Sequence, residues 1–160
     1  MTVTNIDKNP NTLTMTITAE FTAPPARVWE MWANPRLLER WWGPPTHPAT
    51  VVEHDVTPGG RVSYFMTGPE GEQYHGWWKI RSVNAPIGLA FTDGFANGDG
   101  VPNPDLPTTD TAVVIAEHGD GTRMTVASTF ASLGAMEQIL AMGMEEGITL
   151  AMNQIDALLV

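Results

Sequence analysis

Between residues 50 and 130 the chain alternates apolar stretches with short turn sequences, and this alternation constrains the fold more than any other feature. The turn sequences PGG, GPEG, NAPIG and HGDG are rich in the Gly, Pro, Asn and Asp residues that turns require. Connections this short can join only antiparallel neighbours. The sequence therefore predicts an antiparallel meander with strands over 50–56, 60–67, 72–83, 88–95, 109–118 and 122–130.

The segment before the meander predicts a strand and two short helices. Residues 13–21 alternate apolar and polar side chains with period two, as does a strand with one buried face. A first helix is expected to begin at the Pro-Pro pair after this strand and to end before Asn34, and a second is expected over 36–41. Residues 1–11 are expected to form a loose N-terminal tail.

One long helix is expected over 132–159, with Ser132 as its N-cap and apolar residues at steps of three and four. At about 1.5 Å per residue it would extend roughly 40 Å and lie across the sheet. Gly143 and Gly147 are one turn apart in this stretch, where a missing side chain either permits close approach or leaves empty space. Together these elements predict an α+β fold in a single domain, 1–160, with a curved antiparallel sheet wrapped around the C-terminal helix.

Composition excludes several classes of function. The chain contains no cysteine, which excludes disulfides, thiolate zinc sites and a thiol nucleophile. Eight basic residues against eighteen acidic ones give a net charge of −10, the wrong sign for binding nucleic acid or an anionic membrane. Because the sequence has neither a signal-peptide pattern nor an apolar run of about 18 residues, a cytoplasmic location is expected.

Three stretches carry a family resemblance: ITAEFTAPPARVWEMWANPRLLERWWGP, the hairpin that begins DVTPGGRVSYFM, and GMEEGITLAMNQIDALL. Over 13–159 the chain resembles the START-like (SRPBCC) superfamily, and within it the branch homologous to the activator of the heat-shock protein 90 ATPase, C-terminal-domain type. The resemblance implies a helix-grip fold, like that of the birch pollen allergen. It also implies a hydrophobic cavity between the sheet and the last helix, and it leaves a chaperone as one conceivable partner.

Alternation along the middle strands predicts which side chains face this cavity. The preferred register turns Tyr64, Trp78 and Phe91 inward, whereas the opposite register would turn Phe65 and Trp77 inward. The predicted ligand-binding residues are Trp41, His47, Tyr64, Met66, Tyr74, Trp78, Phe91, Phe95, Met144 and Ile148. A regular aromatic or methionine stripe is also what an ordinary core contains, so each of these side chains has a purely structural alternative.

The stretch WWGPPTHP, residues 41–48, can form neither a helix nor a central strand. We expect Trp41 to pack inward and the Pro-rich turn to fix one lip of the cavity entrance. His47 would then lie near that lip, or else in solvent. A second irregular segment, 96–108, is long enough to act as a flap.

Signs of catalysis are sparse in the sequence. The histidines lack metal-ligand spacing, no nucleotide-binding motif occurs, and neither a metal nor a cofactor is expected. Asp93, with Tyr74 or His75 as a partner, is the one cluster that acid–base chemistry could use. The leading expectation is therefore a non-catalytic protein, monomeric or homodimeric, that binds a small hydrophobic molecule. The alternatives are a cyclase, dehydratase or hydrolase using the same cavity, and a co-chaperone-like interaction module.

Overall fold

In the computed structural model, which describes residues 2–159, eight antiparallel strands form one sheet in the order β1-β2-β8-β7-β6-β5-β4-β3. The strands are β1 (Val3–Asn9), β2 (Thr14–Phe21), β3 (Ala49–His54), β4 (Arg61–Thr67), β5 (Gln73–Asn84), β6 (Gly88–Ala96), β7 (Thr109–His118) and β8 (Gly121–Phe130). From β3 to β8 each strand pairs with the next one in sequence, so the predicted meander is confirmed.

The helices lie against the concave face of this sheet. They are α1 (Pro25–Ala33), α2 (Pro35–Trp41), α3 (Leu133–Ala141), α4 (Met144–Met152) and α5 (Ile155–Leu158). The Asn34 side chain caps α2 by accepting a hydrogen bond from the Arg36 N–H at 2.9 Å. The predicted α+β helix-grip fold, with two short helices after the strand over 13–21, is confirmed. No helix in the described part of the chain is long and apolar enough to cross a membrane.

The expectation of a loose tail over 1–11 is wrong, because Val3–Asn9 form the edge strand β1. The Val3 N–H donates to the Asn153 side chain at 3.0 Å, and the buried Thr2 hydroxyl donates to Asp156, so β1 is also tied to the C-terminal helices. Apart from Val3, the β1 residues are exposed or only partly buried. An edge strand of this kind lacks the strict alternation that sequence reasoning depends on.

The prediction of one helix over 132–159 is also wrong, since the segment divides into α3, α4 and α5. Gly143 separates α3 from α4 with φ of 90°, in the left-handed region, and its N–H donates to the Leu140 carbonyl at 3.1 Å. The second break consists of Asn153 and Gln154, and the Gln154 N–H donates to the Ala151 carbonyl. Apolar spacing continues across both breaks, so periodicity could not reveal them.

The core contains an aromatic cluster around Trp32 of α1. Its ring lies 4.9 Å from that of Trp41, 5.9 Å from those of Trp42 and Trp78, and 6.3 Å from that of Phe91, measured between centroids. Trp32, Trp41, Trp78 and Phe91 have no exposed surface. The cluster therefore fills the space between α1, α2 and the sheet.

Gly143, between α3 and α4, and Gly147, inside α4, offer a matched test of how the C-terminal segment divides. A Cβ added at Gly143 or at Gly147 would meet no atom within 4 Å, so packing does not distinguish the two sites. Gly143→Ala should destabilise the protein by roughly 1–2 kcal/mol because of its left-handed φ. Gly147→Ala, inside α4, should stabilise it by about 0.5–1 kcal/mol through helix propensity. Chemical denaturation measures both, and changes of the same sign would contradict this account.

Candidate functional site

A pocket of about 670 Å³ lies between the concave face of the sheet and helices α3 and α4. Strands β4, β5 and β6 supply much of its floor, and the loop after α2 supplies one edge. This pocket volume is within the range of roughly 300–1,000 Å³ that small-molecule sites occupy. This is the part of the concave face that the aromatic cluster does not fill.

Most of the predicted site residues border the pocket: His47, Tyr64, Met66, Tyr74, Phe95, Met144 and Ile148. The preferred strand register is therefore the observed one. Tyr64 pairs with Gly76 across β4 and β5, and a Cβ at Gly76 would lie 2.4 Å from the Tyr64 hydroxyl oxygen. The glycine thus makes room for the Tyr64 ring to lie across the neighbouring strand.

Trp41, Trp78 and Phe91 were also predicted to contact a ligand, but they lie in the core and do not border the pocket. The Trp41 indole N–H donates to the Met31 carbonyl at 2.9 Å. Trp78 and Phe91 are stacked with centroids 4.1 Å apart. Both face the concave side as expected. Trp32 of α1 covers them, so the open space lies elsewhere on this face, between the sheet and helices α3 and α4.

Trp42, which sequence reasoning passed over, borders the pocket in place of Trp41. Consecutive helical residues point about 100° apart, so the two adjacent indoles at the end of α2 separate, one into the core and one toward the pocket. The Trp42 ring lies 4.8 Å from that of Trp78 and 6.0 Å from that of Tyr64. Its Nε1 is buried without a hydrogen-bond partner in residues 2–159, and so is that of Trp78.

The Pro-rich turn after Trp42 forms one edge of the pocket. Gly43 is required there, because a Cβ would lie 2.0 Å from the His47 carbonyl oxygen. The His47 N–H donates to the Pro44 carbonyl at 2.8 Å, and the Gln154 side chain donates to the Gly43 carbonyl at 2.7 Å. The turn is thus anchored to itself and to the C-terminal helices, and it places His47 at the edge with its ring 5.8 Å from that of Tyr74.

The opposite edge and the roof come from α3, from α4 and from Gly143 between them. Gly143 and Gly147 border the pocket and leave open space where side chains would stand, which is the second of the two roles expected for them. Tyr74, Met142 and Leu150 border the pocket while remaining more than half exposed, at 56%, 53% and 53%. These three side chains form an apolar rim where the pocket meets solvent.

Asp93 places a carboxyl group on the pocket wall. It lies on β6, on the same face as Phe91 and Phe95, and no Lys or Arg borders the pocket in the described chain. Burial raises the pKa of Asp93 from 3.8 to about 7, and the nearby Gly94 N–H offsets a small part of that rise. The carboxyl is surrounded by protein, yet the residue keeps some accessible surface toward the pocket.

Tyr64, and not Tyr74 or His75, is the neighbour of Asp93. Burial raises the pKa of Tyr64 far above its ordinary value, and the nearby Asp93 carboxyl raises it further. The His75 ring packs against Phe65, with centroids 5.4 Å apart, and Tyr74 lies at the rim. The sequence indicated the acid but not its partner, because that choice depends on how the strands curve.

The segment 97–108 does not border the pocket. The Arg61 guanidinium donates to the Gly100 carbonyl at 2.7 Å, and Arg61 alternates with Val62 and therefore faces the convex side of β4. This contact holds Gly100, near the middle of the segment, against the convex side of the sheet. Within residues 2–159 no group of three or more histidines and carboxylates is arranged to hold a metal ion.

Comparisons with known proteins agree with this architecture. A sequence model of the family described as Activator of Hsp90 ATPase homolog 1-like protein matches residues 22–160. The chain is similar to protein Ms6760 from Mycobacterium smegmatis, with 54% identity and a TM-score of 0.92 over 99% of this chain and 97% of that one. A protein from Arthrobacter aurescens has 47% identity and a TM-score of 0.95 over 99% and 92% of the two chains. One from Staphylococcus epidermidis has 27% identity and a TM-score of 0.84 over 98% and 93%. A comparison with curated proteins gives no match.

The raised pKa of Asp93 predicts a specific dependence of stability on pH. Between about pH 4 and 7 the folded protein keeps a proton on Asp93 that the unfolded chain releases, so this group's contribution to stability is lost as pH rises through 7. Asp93→Asn should therefore be more stable than the parent protein at pH 8, by roughly 1–3 kcal/mol, and the difference should shrink toward pH 4.

Guanidinium denaturation curves collected across this pH range measure that difference. Asp105→Asn, an exposed carboxyl on the loop outside the pocket, is the matched control. It removes the same charge and should show no comparable trend. A constant difference between Asp93→Asn and the parent protein from pH 4 to 8 would rule out a raised pKa at this site.

Proposed function

The chain belongs to the family of activator of Hsp90 ATPase homolog 1-like proteins, and we propose that it binds a small, largely apolar molecule in the pocket. The observation that carries this proposal is the space itself. Aromatic and aliphatic side chains border about 670 Å³ that none of them fills, although a chain of this size can close such a gap with larger residues. Two glycines, at 143 and 147, face that space.

Burial of apolar surface would supply the affinity. At about 25 cal/mol per Å², a ligand that buries roughly 300 Å² contributes on the order of 7 kcal/mol before the entropic cost of binding. Met66 and Met144 have flexible thioether side chains that can adapt to ligands of different shape. The exposed apolar rim of Tyr74, Met142 and Leu150 supports a route of entry for such a molecule. A cytoplasmic location is part of the same proposal.

A substitution that fills the pocket tests this proposal. Gly147→Leu places a branched side chain in open space and at the same time improves helix propensity in α4. The protein should remain folded, while affinity for pocket ligands falls about tenfold or more. Tryptophan quenching with a panel of aromatic, polyketide and fatty-acid compounds measures this, because Trp42 borders the pocket. Native mass spectrometry of freshly purified protein shows whether a ligand co-purifies.

Gly134→Leu is the matched control for Gly147→Leu. It makes the same substitution near the start of α3, at an exposed position that does not border the pocket. Ligand affinity should be unchanged in this variant. If no compound saturates the parent protein and none co-purifies, the proposal is wrong. Equal affinities in Gly147→Leu and the parent protein would show that binding occurs outside the pocket.

Catalysis in the same pocket is a second candidate function, and Asp93 is the observation that favours it. A carboxyl group with a pKa of about 7 can accept a proton from a bound molecule and return it. A cyclase, dehydratase or hydrolase would use Asp93 in this role, with Tyr64 beside it. Liquid chromatography with mass spectrometry of bound compounds detects turnover, and Asp93→Asn should abolish it while binding persists. Unchanged turnover in that variant would remove Asp93 from the chemistry.

A further inference from the structure

Asp93 differs from the other partly buried acids of this protein in having no basic side chain beside it. Glu39 lies 3.3 Å from the Arg36 guanidinium and accepts from the Val51 N–H. Glu145 forms an ion pair with Lys8. By contrast, no side chain in residues 2–159 donates a hydrogen bond to the Asp93 carboxyl, which has the nearby Gly94 N–H instead, and no Lys or Arg borders the pocket there.

The rest of the pocket supplies no compensating charge. Asp93 is the one Asp or Glu that borders it in the described chain, and the other titratable side chains there are His47, Tyr64, Tyr74 and His75. His47 lies at the edge, where its Nδ1 is 2.8 Å from the Thr46 hydroxyl, and the His75 ring packs against Phe65. A buried carboxylate with no cation of its own is costly, and a ligand can remove that cost by bringing the cation with it.

We propose that the pocket prefers apolar molecules that carry a protonated amine, with the ammonium group placed against the Asp93 carboxylate. This inference rests on the proposed binding function and names the chemical class of its ligand. The apolar body of the molecule would contact Phe95, Met144 and Ile148. The ammonium group would lie on the pocket floor beside Asp93.

Two further features of the site favour a cation over a neutral or anionic group. The Trp42 and Tyr64 rings adjoin this floor, and the faces of aromatic rings attract cations. The net charge of −10 gives the whole molecule a field that attracts cations and repels carboxylates. An anionic ligand would meet both that field and an unpaired carboxylate with no basic side chain to hold it.

Three probes with one apolar body separate these possibilities: 3,3-diphenylpropylamine, 3,3-diphenylpropan-1-ol and 3,3-diphenylpropanoic acid. Isothermal titration calorimetry at pH 8 gives a Kd for each with the parent protein, with Asp93→Asn and with Asp105→Asn. The parent protein should bind the amine about tenfold or more tightly than the alcohol, and the acid weakest. Asp93→Asn should lose the preference for the amine and keep its affinity for the alcohol. Asp105→Asn, which changes the net charge equally, should behave as the parent protein does.

The other outcomes are distinct from one another. If the three probes bind equally well, or the acid binds best, the inference about the amine is overturned while the proposed binding function stands. A preference for the amine that survives in Asp93→Asn also overturns it, because the preference then comes from the general field. If none of the probes binds the parent protein, and the wider panel of compounds fails as well, the proposed function is wrong and the inference falls with it.

Discussion

The packing of aromatic rings around Trp32 decides where the core of this protein ends and where the pocket begins. Trp32 brings α1 onto the stacked pair Trp78 and Phe91, and it holds Trp41 at the end of α2. These large rings consume the space at one end of the concave face. The helices α3 and α4 cross the remaining part, where Gly143 and Gly147 have no side chains to fill the space above the sheet.

Trp42 joins these two regions. One side of its indole packs on Trp78 in the cluster, while the residue also borders the pocket beside Tyr64. The pocket floor is therefore continuous with the aromatic cluster of the core. A ligand there would meet a prepared surface, which reduces the entropic cost of ordering side chains on binding.

The strands and the inward face of the sheet could be predicted because both follow from local patterns. Turn residues mark the ends of the strands, and alternation selects the Tyr64 and Met66 face over the Phe65 face. The break at Gly143 could not be predicted, since apolar spacing continues through it and only the left-handed φ interrupts the helix. The edge strand β1 escaped prediction because its pairing with β2 leaves most of its side chains outside the core.

The candidate site was partly predictable for the same reason. Alternation placed Asp93 on the inner face with Phe91 and Phe95, but no local pattern shows which helix covers which part of a curved sheet. Trp78 and Phe91 therefore lie under α1, while Phe95, farther along the same strand as Phe91, reaches the pocket. The neighbour of Asp93 likewise depends on curvature, which brings Tyr64 close and leaves Tyr74 at the rim.

Several features that lower stability occur together at the pocket. Gly147 weakens α4 where open space would accept a larger side chain, and Asp93 keeps a carboxyl with no basic partner in a buried position. Trp42 adds a buried indole N–H that meets no hydrogen-bond criteria within residues 2–159. Alanine or leucine in place of Gly147 and asparagine in place of Asp93 would remove the first two of these costs. Their concentration at one place is what a binding site requires and what a core does not, because a ligand can fill the space and satisfy the polar groups together.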